Sequence, residues 1–339
     1  MIEAEALTKR YGSNTAVNDI SFSVRPGRVT GFLGPNGAGK STTMRMIVGL
    51  DRPTNGHVTV NGKPYGKHHA PLAEVGALLE AKAVHTSRSA YHHLRALAAT
   101  HGIRSARVTE VIELTGLSAV AHKRVGGFSL GMGQRLGIAA ALLGDPKTLI
   151  LDEPVNGLDP EGVKWVRTMV RGLAEEGRTV FLSSHLMSEM AITADDLIVI
   201  GRGQIVASGT IQDVIDSVTG TSVRVRSPRA SDLAEALRGP DITITSLEPG
   251  LLEVDGVSAE QIGERAASDG IVLHELTPRS ASLEEAYMRL TADAVEFHSG
   301  SSGSSTDDGP EGPSQAAKVA AAAAGSAAAG AASIAGGGS

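Results

Sequence analysis

Three glycines, a lysine and two hydroxyls lie within the nine-residue run Gly34-Pro35-Asn36-Gly37-Ala38-Gly39-Lys40-Ser41-Thr42. That spacing suits phosphate. Without side chains at Gly34, Gly37 and Gly39, backbone N–H groups can close on phosphate oxygens where a Cβ would collide. Lys40 is placed to reach β- and γ-phosphates, and the Ser41 hydroxyl to hold Mg²⁺. A strand-like run, Val29 to Leu33, leads in, and a helix-like run, Thr42 to Ile47, leads out. The helix would add its unpaired N-terminal donors and the positive end of its dipole. A chance glycine turn would require neither flank, so the segment reads as a nucleotide-binding loop.

A second set of groups lies downstream. Thr148-Leu149-Ile150-Leu151 is an apolar run that ends in Asp152 and Glu153. Uninterrupted apolar runs fit central parallel strands covered on both faces, and ligands bind beyond the carboxyl ends of such strands. Asp152 is therefore expected beside the phosphate loop, suited to hold Mg²⁺ directly or through water. Glu153, one residue on, is suited to orient and deprotonate an attacking water. Taken alone, two acids before Pro154 are equally well explained as a strand end and turn. Val180 to Ser184 is another apolar run, ending in His185.

Between these sets lies Phe128-Ser129-Leu130-Gly131-Met132-Gly133-Gln134-Arg135, followed by a helix-like run to Leu143. Here the chain resembles the ATP-binding cassette (ABC) ATPase family, whose signature loop usually reads LSGGQ. Ser129 and Gly131 match it; Leu130 replaces the first glycine and Met132 the glutamine. The resemblance implies that Ser129 and nearby N–H groups face the γ-phosphate of a second subunit's nucleotide. By itself, Ser129 reads more readily as an ordinary helix N-cap than as a phosphate contact. The family pattern further implies that Tyr11 stacks on adenine, that Asp159 in Asn156-Gly157-Leu158-Asp159 couples two sites across a dimer, and that His185 contacts the γ-phosphate. Glu80 stands where the family usually has a glutamine that senses Mg²⁺ and contacts the membrane partner. The resemblance thus assigns catalysis to Glu153, His185 and Lys40, and metal binding to Ser41, Asp152 and Glu80. Nucleotide contacts fall to Tyr11, residues Gly34 to Thr42, Ser129, Gly131 and Asp159.

The elements that must carry these groups are legible along 339 residues. Residues 1–216 hold every motif above and imply an α/β P-loop core with a helical insertion between about Lys82 and Leu142. Residues 221–295 read as β-α-β-β-α-β, the ferredoxin-like order, with strands at Ser222–Arg226, Ile242–Thr245, Leu251–Val254 and Ile271–His274. Helices are expected at Ser231–Leu237, capped by Ser231, and at Ser258–Ala267, with a last one at Ser282–Leu290. Residues 296–339 are rich in Ser, Gly and Ala and read as a disordered tail. The cysteine count is zero, which excludes disulfides and thiolate chemistry. The adjacent pairs His68-His69 and His92-His93 have no carboxylates at ligand spacing and are expected on the surface.

A formal net charge of -6 supplies no basic field for nucleic acid. No run of about 18 strongly apolar residues spans a membrane, and no signal-peptide pattern opens the chain. The resemblance is strongest to daunorubicin/bacitracin-type exporter ATPases, through the runs 128–146 and 152–162 and Ser282-Leu283-Glu284-Glu285-Ala286-Tyr287. It implies a head-to-tail homodimer binding two ATP molecules at the cytoplasmic membrane face. Separate integral membrane permease subunits would contact the exported drug-like or lipid-like molecule. The alternative is a non-transport ABC ATPase acting on a macromolecular complex. A P-loop kinase or GTPase would lack the signature segment, and no Asn-Lys-x-Asp base reader occurs.

Overall fold

The computed structural model describes residues 1–79, 84–217, 222–279 and 282–295. β1 (Ile2–Tyr11) and β2 (Asn14–Val24) form a hairpin. β3 (Arg28–Leu33) runs into the glycine loop and α1 (Lys40–Ile47), after which β4 (Asn55–Val60) returns to β1. These strands give an antiparallel sheet in the order β2-β1-β4. α2 (Pro71–Glu74) and β5 (Val75–Leu78) lead to a helical region of α3 (Ala90–Thr100), α4 (Ser105–Leu114) and α5 (Leu130–Leu142). The chain then alternates through β6 (Thr148–Leu151), α6 (Pro160–Glu175), β7 (Thr179–Ser183), α7 (Met187–Thr193) and β8 (Asp196–Gly201). It closes this part with β9 (Gln204–Thr210) and α8 (Ile211–Asp216).

The main sheet has the order β5-β6-β7-β3-β8-β9, parallel from β5 to β8 with β9 antiparallel at the edge. Every residue of β6, β7 and β8 is buried. Their lack of alternation is what a strand covered on both faces requires. One apolar core lies against α3 to α6 and a second against the smaller sheet, where the Phe32 and Phe181 ring centroids approach to 5.1 Å. This arrangement brings the carboxyl ends of β3, β6 and β7 side by side. The glycine loop, the Asp152-Glu153 pair and the segment Ser183 to His185 emerge there together.

The second module runs β10 (Ser222–Arg226), α9 (Ala230–Ala236), β11 (Thr243–Glu248), β12 (Leu251–Asp255), α10 (Ala259–Ser268) and β13 (Glu275–Arg279). Its antiparallel sheet, in the order β11-β12-β10-β13, has the ferredoxin-like arrangement. Two local expectations are corrected. The fourth strand lies at Glu275–Arg279 rather than Ile271–His274, because Ile271 is still tied to the end of α10 through its N–H to Ala266 O at 2.8 Å. Pro278 then falls on an edge strand, where a missing N–H is tolerated. Ser231 lies inside α9 rather than capping it; Ser227 Oγ instead accepts the Arg229 N–H at 3.1 Å. By contrast, Ser258 does cap α10, in a capping box with Gln261.

α11 (Leu283–Val295) starts with a reciprocal Ser282–Glu285 capping box. It packs on α7 and α8 and buries Leu283, Ala286 and Tyr287 in the first core, with Met190, Val214 and Ile215. The last helix therefore shares the core that lies behind the switch segment. Glu80 and the tail beyond residue 295 lie outside the described residues.

Candidate active site

The glycine loop takes its shape from two close approaches. A Cβ on Gly34 would lie 2.5 Å from the Ile200 carbonyl oxygen, and one on Gly39 would lie 2.6 Å from that of Ala16. Gly37 is different: its φ is 81° and a Cβ there would meet open space, on the side of the cleft. The cleft, of about 560 Å³, is lined by Asn36, Gly37, Gly39, Lys40, Ser41 and Thr42. Leu130, Gln134, Asp152, Glu153 and Asn156 also line it.

Lys40 is 7% exposed, and its Nζ donates to the carbonyl oxygens of Gly34 at 2.6 Å and Pro35 at 3.3 Å. Among the described residues no carboxylate lies within ion-pair distance of it. Burial lowers the Lys40 pKa, against an opposing pull from Glu153 and Asp152. A buried cation in a cleft lined by the glycine loop fits a polyphosphate anion.

Asp152 is held from two sides. Ser41 Oγ donates to its Oδ2 at 2.6 Å and Ser183 Oγ donates to its Oδ1 at 2.5 Å. The Ser183 oxygen also accepts the Glu153 N–H at 2.9 Å, so one hydroxyl ties both acidic residues to the end of β7. The hydroxyl of Ser41 and carboxylate of Asp152 are hard oxygen donors of the kind Mg²⁺ takes.

Glu153 adopts φ 50°, the left-handed region that residues with a Cβ seldom occupy. Such strain gathers at functional sites. Its Oε2 lies 2.7 Å from His185 Nδ1, and Gln134 Nε2 donates to its carbonyl oxygen at 3.1 Å. The geometry can place a carboxylate base, oriented by an imidazole, in the same cleft as the phosphate loop.

The other expected residues lie further out. Ser129 caps α5 by accepting the Met132 N–H at 3.2 Å, and Asp159 caps α6 by accepting the Gly162 N–H at 2.9 Å. Gly131 lies against Leu158. Neither Ser129 nor Asp159 lines the chain's own cleft. Tyr11 is half exposed; its hydroxyl donates to Asp51 at 3.0 Å, and Lys9 Nζ sits 4.8 Å from the ring centroid. Ser183 and Gln134 were not singled out in sequence. The signal for Ser183 was a hydroxyl at the carboxyl end of an apolar strand beside β6. For Gln134 it was one amide on a helix whose other residues, apart from Arg135, are apolar or glycine.

Comparison with known proteins agrees with this geometry. The family described as ABC transporter matches residues 17–156, and a domain family of unknown function matches residues 221–284. An uncharacterized ABC transporter ATP-binding protein of Bacillus subtilis is 35% identical over 308 residues, covering 87% of this chain and 97% of the relative. The bacitracin transport ATP-binding protein of Enterococcus faecalis is 34% identical, covering 86% and 96%. The linearmycin resistance ATP-binding protein of Bacillus subtilis is 34% identical, covering 86% and 98%. Among solved structures, an ATP-binding subunit of an ABC transporter aligns with TM-score 0.59 at 26% identity, covering 64% of this chain and 92% of that one. A dimeric bacterial ABC transporter cassette aligns at TM-score 0.58 and 22% identity, covering 62% and 98%.

The chain belongs to the ABC transporter ATP-binding proteins. It is the ATP-binding, ATP-hydrolysing subunit of such a system. Among the described residues no helix is long and apolar enough to cross a membrane.

Proposed function

We propose that this subunit drives export of a drug-like or lipid-like molecule through separate membrane permease subunits. It works as a head-to-tail homodimer held at the cytoplasmic face of the membrane. The observation that carries this reading is the near full-length likeness to proteins named for bacitracin transport and linearmycin resistance, which extends over the second module as well as the cassette. The dimeric cassette supports the fold side of the dimer reading.

Within each site, Lys40 and the N–H groups of the glycine loop bind the phosphates. Ser41 and Asp152 hold Mg²⁺, which when bound neutralises phosphate charge. Glu153 takes a proton from the attacking water, and His185 fixes the direction of its carboxylate. Ser129 and Asp159, which do not line their own cleft, act on the nucleotide of the second copy. Tyr11 offers a ring to adenine beside the loop. The cassette of residues 1–216 is the motor, and residues 221–295 form an accessory module.

Fractionation tests the export reading. The chain should sediment with membranes when a permease encoded beside it is co-expressed, and remain in the supernatant when it is not. Recovery in the supernatant with every neighbouring permease would sink this reading and leave a non-transport ATPase.

A further inference from the structure

Helix α5 is fastened to the acidic loop at two points near its N-terminus. Near its N-terminus, Leu130 sits directly over Gly157; a Cβ on that glycine would lie 2.1 Å from Leu130 Cδ2. Just over one turn further along, Gln134 is 4% exposed and its amide donates to the Glu153 carbonyl at 3.1 Å. On the other side, Ser183 accepts the Glu153 N–H. The Glu153 peptide is therefore held from two directions, by β7 and by α5, in a left-handed conformation that neither contact alone explains. The same rod carries Ser129 at its N-cap.

We propose that Gln134 is a positioning residue for Glu153, transmitting the placement of the α5 N-terminus to the direction of the Glu153 carboxylate. This rests on the reading of Glu153 as the base. The helix is short and continuously hydrogen-bonded, so displacement at Ser129 carries Gln134 with it. The donor grips the carbonyl rather than the carboxylate, so it turns the peptide without neutralising the base. A site's own base is then aligned only when its α5 is seated. This links one copy's signature loop to hydrolysis in its own cleft as well as to the second copy's nucleotide.

The experiment measures steady-state ATPase of the full chain for Gln134→Leu, Gln134→Glu and Glu153→Gln, with affinity for a fluorescent ATP analogue and thermal stability in parallel. Gln134→Leu is expected to lower kcat by about 10- to 100-fold, the scale of a displaced catalytic group. KM and analogue affinity should stay within roughly threefold, as for an interaction made only in the transition state. Gln134→Glu supplies the signature. An ionised carboxylate can only accept and opposes the Glu153 carbonyl, whereas a protonated one donates to it. Its activity relative to the unaltered chain should therefore rise as pH falls, while the Gln134→Leu ratio stays flat. Lys40, Asp152, Glu153 and His185 stand in the same site and are present in both Gln134 variants, so ratios to the unaltered chain cancel the pH effects they share.

Near-normal kcat in both Gln134 variants would overturn the proposal. So would equal, pH-independent losses that track lowered thermal stability, because Gln134 would then be a packing residue. If Gln134→Leu does not fold, the pH profile of Gln134→Glu decides alone. Full turnover in Glu153→Gln would remove the underlying reading and the proposal together. Inactive Glu153→Gln with normal Gln134 variants would remove only the positioning role.

Discussion

His185 Nδ1 and Glu153 Oε2 lie 2.7 Å apart, joining the second residue past β7 to the second residue past β6. The His185 side chain is half exposed while that of Glu153 is largely covered, so the imidazole forms the outer wall around the carboxylate. Replacing His185 with Ala leaves the acid in place but frees its rotation. Turnover should fall by roughly tenfold or more, with nucleotide affinity nearly unchanged. Parallel loss of affinity and turnover would place His185 in binding rather than in orienting the base.

Ser183 is the hinge between the two acids, donating to Asp152 and accepting from Glu153. Ser183→Ala orphans the Glu153 N–H and one Asp152 oxygen, at a cost of about 1–3 kcal/mol for the unsatisfied group. The Mg²⁺ concentration for half-maximal ATPase should rise roughly tenfold, as when a partner behind a metal ligand is lost. A metal titration of the variant checks this; an unchanged midpoint would detach Asp152 from the metal.

Lys40 gives a pH signature. Burial holds its pKa below the ordinary value of about 10.4. Between the two values the unfolded chain keeps the proton and the folded chain has released it. Stability of the nucleotide-free protein should therefore rise with pH through that alkaline window. Thermal midpoints from neutral to alkaline pH should show this contribution and lose it in Lys40→Met. Bound nucleotide, which pairs the ammonium with phosphate, should also remove it. An identical pH trend in Lys40→Met would show that Lys40 is not its source.

α11 makes a claim about stability. Tyr287 is 9% exposed, in the same core as Met190 and Val214. Tyr287→Ala should cost about 3 kcal/mol, the range for deleting a large buried ring. Denaturant melts of the full chain measure it. A change below about 0.5 kcal/mol, the usual effect at an exposed site, would show that α11 is not packed on α7 in solution.

The fold and the site were legible in sequence to different depths. Runs such as Leu149 to Leu151 and Val180 to Leu182 show no alternation, which marks central parallel strands, and glycine spacing marks the phosphate loop. The order of the second module was legible because Glu248-Pro249-Gly250 and Ser258 punctuate it. Ile271 to His274 misled because their apolar run serves the exit from α10 rather than the ladder. The docking of α11 is a contact distant in sequence, invisible to local periodicity. Gln134 and Ser183 escaped for a related reason: a buried amide or hydroxyl declares its role only when its acceptor, on another element, is in view.

The central claim is that Glu153 activates water in a site completed by a second copy of the chain. The direct measurement is light scattering of Glu153→Gln with and without ATP, beside its ATPase rate. A loss of turnover of about 100-fold or more, with ATP binding retained and an ATP-dependent shift from monomer to dimer, is the outcome expected. Turnover equal to that of the unaltered chain would contradict the account, as would a Glu153→Gln protein that binds ATP and stays monomeric.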